Sequence, residues 1–308
     1  MSDLNYAVLT LVSLCVAALL AGVRVGLQRS ARDVVRAQII ATLLIVGYLT
    51  LLWNRPILTR ILPTPSLIIL SNWLPIWAAF VVGIYLTYRG IPTARRYLLA
   101  SLAVSLCVYS TVAPLTGRRP VCDESVADNA ALQFQSTPYT CSSACAASVL
   151  RLHGIQATES EMAELCLTRQ GTHWMGLYRG MKLKTAGTPW DVAVESIDIN
   201  HLLKTKPTPC VLSVNVDTSL FARDIDHGFH SGFGHSVVYL GNTNDRLLTV
   251  FDPSPDFGVE DWGDRLLRCI DGGVVVRLVP RNPDSPETLR VTRHLASTLL
   301  NHRLALRF

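Results

Sequence analysis

FQSTPYTCSSACAASVL, residues 134–150, carries no charge and two cysteines, with a glutamine six positions ahead of the first. Such a stretch fits a catalytic centre, half of a metal site, or plain core. Thr140 and the small residues behind it predict a helix running from about Cys141 to Leu152 and ending at Gly154. A cysteine at a helix N-terminus has its thiolate favoured by the positive end of the helix dipole. Cys141 therefore reads as a nucleophile that still needs a base, and a partner to orient that base.

The chain downstream supplies both. Thr158 and Glu161 read as a capping box ahead of MAELC (162–166), and a third helix is expected over 173–184, before Gly187. From there the pattern changes to β-branched runs: CVLSVNV (210–216), HSVVYLG (235–241), LLTVFD (247–252) and VVVRLV (274–279). NTND at 242–245 reads as a tight hairpin, which puts His235 and Asp252 at the same end of an antiparallel pair. Helices first and an antiparallel sheet afterwards make an α+β domain rather than alternating βαβ units. Gln135, just upstream of the nucleophile, is placed to donate with the Cys141 N–H to a developing oxyanion.

The first third is of another kind. Before Gly117 stand nine Arg, two Asp and no Lys; after it, 19 Lys plus Arg face 21 Asp plus Glu, so the net charge of +5 belongs to the N-terminal part. The C-terminal part is slightly acidic without a Lys/Arg run, which excludes nucleic acid as a partner. Four charge-free stretches approach the roughly 18–20 residues that cross a bilayer. They predict a transmembrane domain over 1–118 with helices at 4–23, 37–54, 66–88 and 97–117. The start of the third reads as loop and its middle as kinked, because of Pro63, Pro65 and Pro75. Seven Arg flank the first and third loops against Arg55 and Arg60 on the other side, so the positive-inside rule predicts a multi-pass protein with an extracytoplasmic C-terminal domain.

The segments QSTPYTCSSACAASVLRLHGI, ESEMAELCLTRQGTHWMGLYRGMKLKTAG, GHSVVYLG and VFDPSPDFG together resemble the bacteriocin-processing peptidases, papain-like cysteine peptidases that cut leader peptides after a double glycine. The resemblance spans about 130–280 and implies a papain-like α+β fold and peptide-bond hydrolysis without a metal or cofactor. It implies Cys141 as nucleophile, His235 as base, Asp252 as its orienting partner and Gln135 in the oxyanion hole. The family has Asp-Cys-Gly at the nucleophile where this chain has Thr140, Cys141 and Ser142. Its best-known members also sit at the front of ATP-driven exporters, and this chain shows no P-loop. The implied partners are a peptide or protein substrate and the lipid bilayer, with room for a separate exporter.

The expected layout is then 1–118 transmembrane, 119–133 linker, 134–283 peptidase-like domain, and 284–308 an amphipathic helix with Ser285 as cap and Pro286 at its first turn. DIDHGFHSGFGH (224–235) reads as a loop before the catalytic strand, since His227, His230 and His235 lack zinc spacing. Cys145 and the tryptophans Trp174, Trp190 and Trp262 read as core. Two other functions remain open: a leader-binding module without catalysis, and a membrane sensor or transport component regulated by the domain. The presence of Cys141 speaks against the first. Against the second, no span carries Asp, Glu, Lys or Arg between its ends.

Overall fold

Hydropathy separates the chain near Gly117, and the computed structural model divides there too, into Met1–Thr116 and Gly117–Phe308. It describes residues 2–28, 30–87, 92–123, 131–204, 208–216, 234–244 and 246–284. The expected C-terminal amphipathic helix, apart from Asp284, and the loop with His227 and His230 lie outside the described residues.

The N-terminal unit is helical: α1 Ser2–Gln28, α2 Ala31–Leu51, α3 Leu58–Ile61, α4 Leu67–Leu70, α5 Leu74–Thr87 and α6 Thr93–Val112. Four helical stretches, Asp3–Leu27, Arg32–Leu51, Leu67–Thr87 and Thr93–Leu115, are long and apolar enough to cross a membrane. Three of the helices, α1, α2 and α6, begin ahead of the charge-free windows, because hydropathy marks the apolar stretch while local signals set where a helix starts. Thus Ser30 accepts from the Asp33 N–H and starts α2 seven residues before Ala37. The irregularity expected in the middle of the third stretch takes the form of a break ahead of Pro75. The third stretch breaks at Ser71–Trp73, and Pro75 occupies the first turn of α5, where its missing N–H costs nothing. Helices α1 and α5 cross closely: a Cβ on Gly22 would stand 2.1 Å from the Phe80 carbonyl oxygen, and one on Gly83 would stand 2.3 Å from that of Leu19.

The C-terminal unit begins with three helices, α7 Cys141–Leu152, α8 Glu159–Leu165 and α9 Trp174–Lys184. Six strands follow: β1 Trp190–Ser196, β2 Cys210–Val216, β3 His235–Asn244, β4 Leu247–Asp252, β5 Gly258–Trp262 and β6 Ile270–Pro280. Short helices α10 (Ile199–Lys204) and α11 (Asp264–Leu267) connect them. The sheet order is β1-β6-β2-β3-β4-β5, antiparallel throughout. Helices followed by an antiparallel sheet are therefore the architecture, as expected of an α+β domain.

Two of these strands escape the sequence reading. In β1, Trp190, Val192 and Val194 are buried while Asp191, Ala193 and Glu195 are not, a clear period of two. Its acidic positions are answered by Lys182 and Arg281 at Asp191 and by Arg277 at Glu195. The other edge strand, β5, is five residues long with Glu260 and Asp261 outward and Trp262 fully buried.

One face of the sheet carries a core of Leu212, Val214, Val237, Tyr239, Val250 and Trp262 with Leu202 and Leu266 from the short helices. Helix α7 packs against β3 and β2, and every residue of it except Arg151 is buried. Its Ala, Ser and Cys side chains leave the thin profile that a helix embedded between other elements requires. Trp174, Trp190 and Trp262 are all buried, as expected for core.

Candidate active site

Cys141 is the first residue of α7, and no side chain caps that helix. Thr140 does not act as the expected cap: its hydroxyl donates to the Thr137 carbonyl and faces the Thr137 hydroxyl, closing the turn before the helix. The amides of the first turn thus keep their positive field at the thiol.

His235 opens β3 and Asp252 closes β4. Residues 242–244 belong to the strand rather than to the turn expected at 242–245, because β3 runs on through irregular register to Asn244, and β4 begins at Leu247. The two residues still meet at one end, with His235 Nε2 2.8 Å from Asp252 Oδ2. Asp252 is wholly buried, and its second oxygen accepts the Ser254 N–H at 2.8 Å, so both oxygens are held. With Nε2 given to the carboxylate, Nδ1 is the imidazole nitrogen left for the Cys141 thiol, which is hydrogen-bonded to His235.

Burial works against charge on both partners, yet the pair overrides it. Hydrogen bonds to Asp252 and Cys141 and their negative charge push His235 up to about 10. The Cys141 thiol falls below its ordinary value: burial opposes this, but the bond to His235, its positive charge, the Ser236 N–H and the Ser142 hydroxyl prevail. Both shifts run in the direction of a thiolate–imidazolium pair. Cys141 is buried, with 9 % of the residue's surface exposed.

Gln135 is fixed from the opposite side. Its N–H donates to the Pro253 carbonyl at 2.7 Å, which ties the segment before the nucleophile to the turn after Asp252. Its side-chain Oε1 is buried without a hydrogen-bond partner. The next residue, Ser136, donates its N–H to Glu159 Oε1 at 2.8 Å, and Glu159 is itself 3 % exposed. A buried carboxylate thus anchors the stretch that carries Gln135. The capping-box reading assigned Glu159 no role, although an acid at the first turn of α8 was visible in the sequence; Thr158 does accept the Glu161 N–H, as that reading expects.

Ser142, where the resembled family has glycine, points into the protein. Its hydroxyl lies 2.8 Å from that of Ser236, both nearly fully buried, and so couples α7 to β3 beside the reacting pair. No sequence signal marked Ser236 beyond its place after His235. Cys145, one turn further on, is fully buried and donates to the Ser236 carbonyl. The other buried histidine among the described residues, His153, is core: its Nδ1 meets the Val149 carbonyl, its ring packs edge-on against Trp190, and burial lowers it to about 4.

No protein-family model matches the chain, and no curated protein matches it. Among solved structures it is similar to the peptidase domain of Streptococcus ComA, a bi-functional ABC transporter involved in a quorum-sensing pathway, at 22% identity and a TM-score of 0.37. That match covers 48% of this chain and 96% of the other. The peptidase domain of Streptococcus mutans ComA is similar at 20% identity and a TM-score of 0.30, covering 49% and 100%.

Proposed function

We propose that the protein is a membrane-anchored cysteine endopeptidase that cuts a leader peptide or a membrane-delivered polypeptide. The observation that supports it most is the Asp252–His235–Cys141 relay at the uncapped tip of α7. A thiolate at that tip attacks the scissile carbonyl carbon, and the oxyanion that forms is met by the Cys141 N–H and the Gln135 amide, turned to present its NH₂ group. His235, already protonated, gives its proton to the leaving amine as the C–N bond breaks. It then takes a proton from water, whose oxygen attacks the thioester and frees Cys141. Asp252, holding Nε2–H, fixes the ring so that Nδ1 serves the thiol in both halves.

The four apolar helices serve as the anchor in this reading, and the Arg count of their loops favours the peptidase domain outside the cytoplasm. Cys122, half-buried ahead of the domain, reports the side: a membrane-impermeant maleimide should reach it in intact cells.

The function is tested by comparing the peptide termini of cells carrying the wild type and Cys141→Ala. A defined set of termini is expected only with Cys141. If none depends on it, the protein does not cleave peptides by this route.

A further inference from the structure

The two cysteines of α7 stand one turn apart on the same helix face, and both sulfurs reach one residue of the sheet. The Cys145 thiol donates to the Ser236 carbonyl at 3.2 Å, and the Ser236 backbone is among the groups that favour the Cys141 thiolate. Ser236 pairs with Ser213 of β2, while pairing of β3 with β4 extends only to Val238, so the other side of β3 at Ser236 is open to the helix. The N–H and C=O of an extended residue lie on the same side of its strand, which brings the two sulfurs to neighbouring positions. The charge on Cys141 is indeed felt at Cys145, where burial and that charge hold the thiol protonated.

Four helical residues advance about 6 Å along the axis, which keeps the Cα atoms inside the range a disulfide spans. The Cβ atoms, roughly 5–6 Å apart on a helix, must close to about 4 Å for the bridge. Closure therefore loosens the first turn of α7, the one turn of that helix without a side-chain cap. A bridge under such strain is readily reduced again.

Resting on the peptidase reading of this site, we propose that Cys141 and Cys145 form a peroxide-responsive switch in which Cys145 is the resolving thiol. The Cys141 thiolate attacks a peroxide oxygen, the O–O bond breaks, and Cys141 becomes a sulfenic acid while the released hydroxide takes the His235 proton and leaves as water. Loss of the thiolate removes the charge that opposed ionisation of Cys145. The Cys145 sulfur then attacks the sulfenyl sulfur, the S–S bond forms and the S–O bond breaks. The departing hydroxide leaves as water with the thiol proton. The enzyme is silenced but spared sulfinic acid, and a dithiol reductant restores it.

The test uses the purified full chain in detergent, treated with hydrogen peroxide in the presence of dimedone. Chymotryptic cleavage after Tyr139 separates Cys141 and Cys145 from Cys122. In the wild type the 140–150 peptide should be two hydrogens lighter, and dithiothreitol should restore iodoacetamide labelling of Cys141. Cys145→Ala and Cys145→Ser should label normally before oxidation, then give several-fold more dimedone adduct at Cys141 and fail to recover. The switch is overturned if the wild type accumulates the adduct as those variants do, or if no lighter peptide forms. Where labelling before oxidation falls in His235→Ala, such a result leaves the peptidase reading standing; where labelling is indifferent to His235, that reading and the switch fall together.

Discussion

His235 Nε2 and Asp252 Oδ2 lie 2.8 Å apart across the mouth of a hairpin, with the carboxylate wholly buried. That contact directs the other imidazole nitrogen to Cys141. In Asp252→Asn the carboxylate that raises His235 is gone, the imidazolium weakens, and the Cys141 thiol climbs back toward its ordinary value. Below the thiol midpoint each unit of that climb costs about tenfold in thiolate at fixed pH. The iodoacetamide labelling rate of Cys141, followed from pH 5 to 9 (set as the range on the order of the thiol and imidazole midpoints), should show a midpoint displaced upward. An unchanged profile would remove Asp252 from the relay.

The same pair sets a pH dependence of stability. His235 is raised in the folded state by Asp252, so its contribution is complete below the unfolded value of about 6.5 and fades as pH rises through the folded value. To isolate it, thermal melts of Cys141→Ala are compared with Cys141→Ala/His235→Gln. The gap in Tm should be largest near pH 6 and shrink toward alkaline pH, where the imidazole is neutral in both states; it closes below the about 10 of the intact pair, because Cys141 no longer helps to raise His235. A gap that widens with pH would contradict the sign.

Ser142 and Ser236 satisfy each other in a place closed to water. Removing one hydroxyl strands the other at a cost of about 1–3 kcal/mol, whereas removing both costs less than the sum. Ser142→Ala, Ser236→Ala and the double variant should therefore show a coupling on the order of 1 kcal/mol in denaturant unfolding. Ser142→Ala should also raise the Cys141 midpoint, since that hydroxyl supports the thiolate. Additive effects would mean that the two hydroxyls do not communicate.

The reach of the sequence reading follows from which signals are local. A helix starting at Cys141 and a hairpin that returns Asp252 to His235 are each written within a few consecutive residues, so the site's neighbours were legible. The edge strands went unread although in β1 the alternation of Trp190, Val192 and Val194 with Asp191, Ala193 and Glu195 is local; what only the fold shows is which cations answer its acids, Lys182 on α9 and, far along the chain, Arg277 and Arg281. Ser136 and Glu159 are likewise joined only by the fold. Thr140 shows the opposite failure, a local cap signal overruled by the nearer acceptor at Thr137.

In the N-terminal unit the glycines discriminate between contact and open surface. Gly22→Ala and Gly83→Ala drive a methyl into the facing backbone of the α1–α5 crossing, while a Cβ on Gly47 meets nothing within 4 Å. The first two should destabilise by about 1–3 kcal/mol as overpacking does, and Gly47→Ala should be neutral or mildly stabilising, by up to about 1 kcal/mol. Thermal denaturation of the full chain in detergent, read by helical circular dichroism, distinguishes them. Equal Tm values for all three would mean that α1 and α5 do not approach as described.

Gln135 separates transition-state support from thiol activation. Its N–H holds the Pro253 carbonyl through the backbone, which Gln135→Ala retains, while the side-chain amide with its unpartnered Oε1 is lost. The thiolate pair at Cys141 and His235 receives nothing from that amide. Labelling of Cys141 by iodoacetamide should then keep its rate and midpoint. Turnover of a peptide whose terminus depends on Cys141 should fall by about 10²–10³-fold in kcat, the usual cost of one oxyanion donor. Gln135→Glu should fall at least as far, because a carboxylate repels the oxyanion that the amide would have met. Should both variants turn over that peptide like the wild type, the oxyanion is stabilised by the Cys141 N–H and by groups other than Gln135.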